Sequence, residues 1–446
     1  MPHSPLRLFL AALVALAAQG CATPTASTTE AAPQAIACPK QVPADARCLG
    51  GRDSAGAFYV VAMPAQWNGT LVMHSHGGPF LGAPTLERSL EDLERWAMTV
   101  KAGYAWAGSS FRQGGVAVRA AAEDTERLRR IFLAHVATPR QTILHGQSWG
   151  AGVAAVGASM FTRDAQGRPP YDGVLLTSGL VAGGSRAYDF RLDLRVIYQA
   201  LCRNHPRADE PQYPLNIGLP AGATLSADDL RRRVNECLAL DRPAAQRTPE
   251  QQRKVKTIVD VVKIPESSIA SHLAWGTFHF QDVTHKRTGG ASPFGNLKVR
   301  YSGSDDDAGL NAAVLRYAAD PAAAQAFARD TDPDGRIPVP VLTVHGIGDP
   351  TVFVEGHDTF RRTMEQAGTA GHLVQTFTSD NTHSYLSDPV YPALLEALST
   401  WARGSARPTP AQIATRCTQL QAQFGPGCRF VTDYVPKPLA SRTPAR

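Results

Sequence analysis

The spacing of apolar positions changes along the chain, and each change marks an element. Phe58 to Met63 reads as a strand, and Trp67-Asn68-Gly69 turns the chain into a second strand, Thr70 to His74. Leu86, Leu90, Leu93 and Ala97 recur at helical spacing, which predicts a helix over Leu86 to Val100 that Gly103 ends. Tyr104 to Ser109 is the next strand. Ala121 to Val136 predicts a charged amphipathic helix with Leu128, Ile131, Phe132 and His135 on or near one face, stopped at Pro139. Gln141 to His145 is a short strand, Ala151 to Met160 is small and apolar as a buried helix should be, and Gly173 to Thr177 is another strand. This alternation predicts a mostly parallel sheet covered by helices.

The rhythm stops across 185–336. That stretch holds helical pieces, two cysteines, Pro-rich turns and the acidic loop Asp305-Asp306-Asp307, with no repeating strand–helix unit. It reads as a mainly helical cap inserted into the sheet domain. The rhythm resumes with a strand at Val339 to His345, a helix at Val354 to Gln366, a strand at His372 to Phe377 and a helix at Tyr391 to Trp401. The expected organisation is therefore a core in two parts, 38–184 and 337–403, a cap at 185–336, and an irregular, Pro-punctuated tail at 404–446.

The N-terminus follows a different logic. Arg7 precedes the apolar run Leu8 to Ala18, which is too short to span a membrane but suits a signal peptide. The run leads into Ala-Ala-Gln-Gly-Cys at 17–21, and the Thr/Ala/Ser-rich segment 22–37 reads as a flexible linker. Segment 1–21 resembles a bacterial lipoprotein signal, in which Cys21 becomes the lipidated first residue. Export is expected, either to the periplasm or outer membrane with the lipid as membrane attachment, or as a secreted form after simple cleavage.

Composition adds two constraints. The net charge of +6 over 446 residues is modest, and the runs Arg231-Arg232-Arg233 and Arg129-Arg130 lie beside acidic residues on predicted helices. They read as solvated helix faces, so no nucleic-acid partner is expected. Apart from Cys21, six cysteines remain: Cys38, Cys48, Cys202, Cys237, Cys417 and Cys428. An even number in an oxidising compartment suggests three disulfides, with the connectivity open on count alone. Order along the chain favours Cys38–Cys48, Cys202–Cys237 and Cys417–Cys428. No pair has CxxC spacing and no His/Cys cluster has zinc-site spacing, so no metal is expected.

The chemistry concentrates after the predicted strands. The strand at 141–145 runs into Gly146-Gln147-Ser148-Trp149-Gly150 and then a helix, the strand–turn–helix setting of a nucleophilic serine. So tight a bend leaves no room for side chains two residues either side of Ser148. An oxyanion needs preorganised donors. One candidate is the Trp149 N–H. The other is Gly78, in His76-Gly77-Gly78-Pro79 after the earlier strand, since Pro79 has no N–H. His74 and His76 lie nearby without an accompanying carboxylate, which argues against a metal site. A serine also needs a base, and the base an orienting acid. Asp349 follows the strand ending at His345, and His383 follows the last strand. His372 starts a strand, at the wrong end of the sheet, and His357 lies on a helix, so neither suits the base.

Residues 57–184 and 337–403 resemble the α/β-hydrolase superfamily on these motifs. The resemblance implies an eight-stranded sheet, a Ser148–His383–Asp349 triad, acyl-enzyme chemistry without a cofactor, and a cap after the sixth strand. The segments His76-Gly77-Gly78-Pro79 and Ser148-Trp149-Gly150 are also similar to proline iminopeptidases, although Phe80 and Gln147 replace glycines usual in those enzymes, and Phe111-Arg112-Gln113-Gly114 matches their Arg-Gly turn only loosely. Hydrolysis of a small-molecule ester is the expected activity. The alternative is an aminopeptidase acting on short peptides, which needs a cap carboxylate for the substrate amine, with Glu236, Glu266 and Asp305 as candidates. Trp149, Phe80, Phe111, Tyr188, Tyr198, Trp275, Phe278 and Phe280 are candidates to line an acyl pocket or to fill the cap.

Overall fold

A computed structural model describes residues 30–446, and segment 1–21, expected as a signal ending at Cys21, lies outside the described residues. Nine strands form one sheet: β1 (Gln34–Ile36), β2 (Arg47–Arg52), β3 (Phe58–Met63), β4 (Thr70–Ser75), β5 (Ala105–Ser109), β6 (Gln141–Gln147), β7 (Gly173–Thr177), β8 (Val341–Gly346) and β9 (Leu373–Thr378). Their spatial order is β1-β2-β3-β5-β4-β6-β7-β8-β9. The pairs β1/β2, β2/β3 and β3/β5 are antiparallel and the rest parallel. From β2 onward this is the eight-stranded topology of the α/β-hydrolase fold, with β1 added at the edge.

Burial explains why the middle of each central strand is a run of apolar residues. All residues of β4, β6, β7 and β8 are buried, because helices cover both faces of a parallel sheet. One face packs Val61, Leu71, Met73, Leu144 and Leu176 against Leu128, Ile131 and Phe132 of the helix Val118–His135. The other packs Ile143, Leu175, Leu342 and Val374 against Leu394, Leu395 and Leu398 of the helix Val390–Ala402.

The inserted segment is helical, with Phe190–Cys202, Ala227–Leu238, Pro249–Val262 and Pro321–Thr331 as its longer helices. Its apolar residues form one cluster with Phe111, Trp149 and Val153 of the core. Cap and core therefore share a hydrophobic interior on the side where Ser148 lies.

Three differences from the sequence reading have local causes. Gln34–Ile36 pairs with β2, so ordered structure starts inside the segment expected as linker. The helix predicted over Leu86 to Val100 breaks at Trp96 into Leu86–Arg95 and Ala97–Lys101. The tail expected to be irregular contains a helix, Pro410–Phe424, opened by a reciprocal cap between Thr409 and Gln412 with proline in the first turn. Among the described residues no helix is long and apolar enough to cross a membrane.

The six cysteines pair as Cys38–Cys48, Cys202–Cys237 and Cys417–Cys428. Cys202–Cys237 joins two cap helices across a separation of 35 residues. Loop-closure entropy for a ring of that size predicts that Cys202→Ser/Cys237→Ser loses about 3–4 kcal/mol of stability. Guanidinium unfolding of the oxidised double variant measures this, and an unchanged midpoint would contradict it.

Candidate active site

The turn between β6 and the helix Trp149–Met160 sets the geometry. Ser148 has φ 56° and ψ −120°, a backbone state that costs a non-glycine residue about 1–3 kcal/mol. Two hydrogen bonds hold it there: Ser148 N–H to the Thr177 carbonyl at 2.9 Å, and Leu180 N–H to the Ser148 carbonyl at 2.9 Å. A Cβ on Gly146 would strike the Gly150 carbonyl and Ala151, and one on Gly150 would strike the Ser75 and His76 carbonyls. The second contact matters beyond the turn, because Ser75 and His76 lead into the loop that carries Gly78.

Asp349 and His383 follow the C-terminal ends of β8 and β9, where functional groups gather in such sheets. Ser148 Oγ lies 2.7 Å from His383 Nε2, and His383 Nδ1 lies 2.7 Å from Asp349 Oδ2. A carboxylate can only accept, so Nδ1–H donates to Asp349 and leaves Nε2 to accept the Ser148 hydroxyl. The Asp349 side chain is fully buried, and its Oδ1 accepts the N–H groups of Thr351 (2.8 Å) and Val352 (3.0 Å).

Behind the acid stands a pair of histidines that sequence reasoning did not single out for a role. His345 Nε2 lies 3.5 Å from Asp349 Oδ2 and donates to the Val352 carbonyl at 2.9 Å. Its Nδ1 must then accept, and His357 Nε2–H supplies the donor at 2.9 Å. Burial lowers the pKa of both, most of all that of His357, so both stand neutral in this chain. Only the fold brings 345, 349 and 357 together, and their spacing resembles no local motif.

Gln147, the departure from the iminopeptidase pattern, ties the base in place. Its Nε2 donates to Ser384 Oγ at 2.8 Å, and Ser178 Oγ donates to the Ser384 carbonyl at 2.9 Å. Gly78 has φ +71°, and a Cβ there would meet nothing within 4 Å, so this face of the loop opens into space. Trp149 is the first residue of its helix, where N–H groups have no intrahelical partner. Such an arrangement can move a proton off a serine oxygen as it attacks carbon, with backbone N–H groups near the negative oxygen that forms.

A cap helix running from Ile269 to Arg287, with π-helical turns at Trp275–His279 and Val283–Arg287, roofs this region. His272 Nε2 donates to the Pro350 carbonyl at 3.0 Å, beside Asp349, and His279 Nε2 donates to the Pro79 carbonyl at 3.1 Å, beside Gly78. Burial lowers these histidines to about 3 and about 4, so both act as neutral donors. Further along, Asp282 accepts the Val116 N–H at 3.0 Å.

The aromatic candidates separate by position. Tyr198 and Phe280 are buried in the cap cluster, whereas Trp275 and Phe278 are partly exposed at its margin. Phe80 is 52% exposed beneath the Arg88 guanidinium, 3.9 Å from its ring. It edges a cavity of about 210 Å³ that His76, Phe111 and Trp149 also line. The three cap carboxylates considered for an amine all face solvent and pair with cations: Glu236 with Arg207, Glu266 with Arg247, and Asp305 with Lys256.

No family profile matches the sequence, and no curated protein matches it. Solved structures give similarities at low identity. Feruloyl esterase B from Aspergillus oryzae is 13% identical with a TM-score of 0.41, over 84% of this chain and 86% of that one. Another esterase from Aspergillus oryzae is 13% identical with a TM-score of 0.42, over 81% and 80%. A hormone-sensitive lipase from a metagenome library is 12% identical with a TM-score of 0.40, over 85% and 87%. Similarity of this size carries no argument about substrate or mechanism. The fold class rests on the strand order.

The Gly150 contact generates a prediction. Gly150→Ala should cost about 2–3 kcal/mol through overpacking against the Ser75–His76 backbone. Gly82→Ala, where a Cβ meets nothing within 4 Å, should stay within about 0.5 kcal/mol of wild type. Urea unfolding compares the two, and equal midpoints would remove the close contact as a constraint.

Proposed function

We propose that this protein is an exported serine hydrolase that cleaves carboxylic esters through an acyl-enzyme. The observation that carries the reading is the unbroken chain from Ser148 Oγ through His383 to Asp349, with both links at 2.7 Å. His383 Nε2 takes the hydroxyl proton as Ser148 Oγ attacks the ester carbonyl carbon, and the carbonyl electron pair moves onto oxygen facing the N–H groups of Gly78 and Trp149. Collapse of this intermediate expels the alcohol oxygen, which takes the proton from Nε2. Water then gives a proton to His383 and attacks the acyl-serine, and Ser148 Oγ takes that proton back as it leaves, releasing the carboxylic acid and restoring both residues. Asp349 keeps the imidazole in the working tautomer and stabilises its charged form.

Esters are favoured over peptides because the candidate amine-binding carboxylates of the cap are already paired with cations at the surface. Export is supported by three disulfides, which persist in oxidising compartments. Lipid attachment through Cys21 belongs to the same reading, and loss of membrane partitioning in Cys21→Ser tests it.

Wild type should hydrolyse p-nitrophenyl esters and leave aminoacyl-anilides intact, and activity on anilides alone would overturn the ester assignment. Ser148→Ala should lower kcat at least about 10⁴-fold, and Asp349→Asn by about 10⁴-fold. Labelling by a fluorophosphonate, lost in Ser148→Ala, checks the nucleophile independently of substrate.

A further inference from the structure

Two arginines one helical turn apart in the cap are both fully buried, but their surroundings differ. Arg195 is held at both ends of its fork, although its Nε, like that of Arg191, has no partner: Nη1 reaches the carbonyls of Leu215 (3.0 Å), Gly218 (2.5 Å) and Gly276 (3.0 Å), and Nη2 lies 3.3 Å from His205 Nε2. Arg191 has one carbonyl, that of Ala187 at 2.7 Å, and its buried Nε has no partner. Among the described residues no carboxylate forms an ion pair with it. Of the adjacent acids, Asp189 and Asp193 both pair with Arg446, and the Asp189 charge also acts on Arg191.

The position of Arg191 makes this costlier. It lies in the first turn of the helix Phe190–Cys202, where the helix dipole disfavours a cation. The rings of Tyr188, Phe190 and Trp275 stand 5.2, 4.6 and 5.0 Å from its guanidinium carbon. Cation–π attraction recovers part of the lost hydration but satisfies none of the N–H donors. Tyr188 Oη, buried beside the same guanidinium, also has no partner.

The site lies against the roof over Ser148. Trp275 stacks on His279 at 3.8 Å, and His279 holds the Pro79 carbonyl next to Gly78. Phe190 packs 5.0 Å from His272, which holds the Pro350 carbonyl next to Asp349. Of the three rings around Arg191 only Trp275 is partly exposed.

We propose that Arg191 and Tyr188 recognise an anion, so that the esters hydrolysed here carry a carboxylate away from the scissile bond. This rests on the ester-hydrolase reading and specifies its substrate class. A guanidinium fork matches a carboxylate through paired N–H···O bonds, and the Tyr188 hydroxyl adds a third donor. A neutral ester leaves these groups unpaired in a dry site, which is how buried polar groups discriminate between substrates.

Two pairs of esters test this, each matched except for the charge. Mono-4-nitrophenyl adipate against 4-nitrophenyl hexanoate places the carboxylate on the acyl side, and 4-acetoxybenzoate against phenyl acetate places it on the alcohol side. Wild type should prefer the charged member of at least one pair. Arg191→Met should raise KM for that member about tenfold or more and leave the neutral member within about twofold. Arg191→Lys should retain part of the preference, and Tyr188→Phe, which removes only the hydroxyl, should weaken it severalfold. Circular dichroism and melting check that each variant is folded, and Tyr188→Phe keeps the test available if Arg191→Met is not. No preference in either pair, or an equal loss on both members in Arg191→Met, overturns the proposal.

Binding separates this from the underlying reading. The Ser148→Ala protein should bind adipate or 4-hydroxybenzoate in calorimetry, and Ser148→Ala/Arg191→Met should not. If that binding holds while wild type turns over none of the four esters, ester hydrolysis fails and anion recognition stands. If neutral esters turn over with no charge preference, anion recognition fails and ester hydrolysis stands.

Discussion

Everything at the site depends on one close approach of backbone to backbone. The helix after Ser148 starts so near the end of β4 that Gly150 has no room for a methyl group against the Ser75 and His76 carbonyls. That contact sets the height of the Ser148 hydroxyl above the sheet and the position of the Gly78 loop together. It also explains the composition of Trp149–Met160, where glycine and alanine keep the helix pressed on the sheet along its length. The strain at Ser148 is tolerated because β7 supplies a carbonyl on one side and Leu180 an N–H on the other.

A second layer of constraint comes from neutral buried histidines. His345 and His357 brace the loop of the acid, while His272 and His279 bind the roof to the loops of Asp349 and Gly78. Each donates to a partner that can only accept, or passes its donor along a pair, so ring orientation and tautomer are fixed by geometry. Charged side chains in the same places would carry the desolvation cost of buried ions. Because the roof touches both halves of the site, removing the cap would free the acid loop and the Gly78 loop at once.

The parts legible in sequence were those written in local spacing. Alternating periods gave away the sheet and its helices, and Gly146 to Gly150 identified the turn because tight backbone geometry dictates residue type. Asp349 and His383 followed from their places after strands, and chain order favoured the pairing that the six cysteines adopt. What escaped was non-local. The role of His345 and His357 exists only because the helix Gly356–Gln366 folds back so that His357 meets His345 of β8, and the roof contacts join residues 78 positions apart (His272 and Pro350) or 200 apart (Pro79 and His279). The edge strand Gln34–Ile36 is three residues long in an alanine-rich stretch with no alternation to betray it. The tail helix did carry a signal, Thr409-Pro410 with Gln412, but surrounding prolines masked it.

The shared interior of cap and core bears on how a substrate arrives. Trp149 and Phe111, each 3% exposed, belong to the same cluster as the cap helices. Swinging the cap away as a rigid lid would expose that cluster to water, at about 25 cal/mol for each Å² of apolar surface uncovered. Motion confined to a few side chains or one loop avoids this cost. The space beside His76 and Trp149 opens along the Pro79–Thr85 loop, where Phe80 and Leu81 are the exposed apolar residues. Approach from that side leaves the cap in place and the roof histidines bonded, and it reaches Trp149, the residue after Ser148. On this geometry the cap is a wall tied to the loop at Pro79 and the loop is bonded again at Phe80, which leaves the exposed side chains of Phe80 and Leu81 as the parts able to shift.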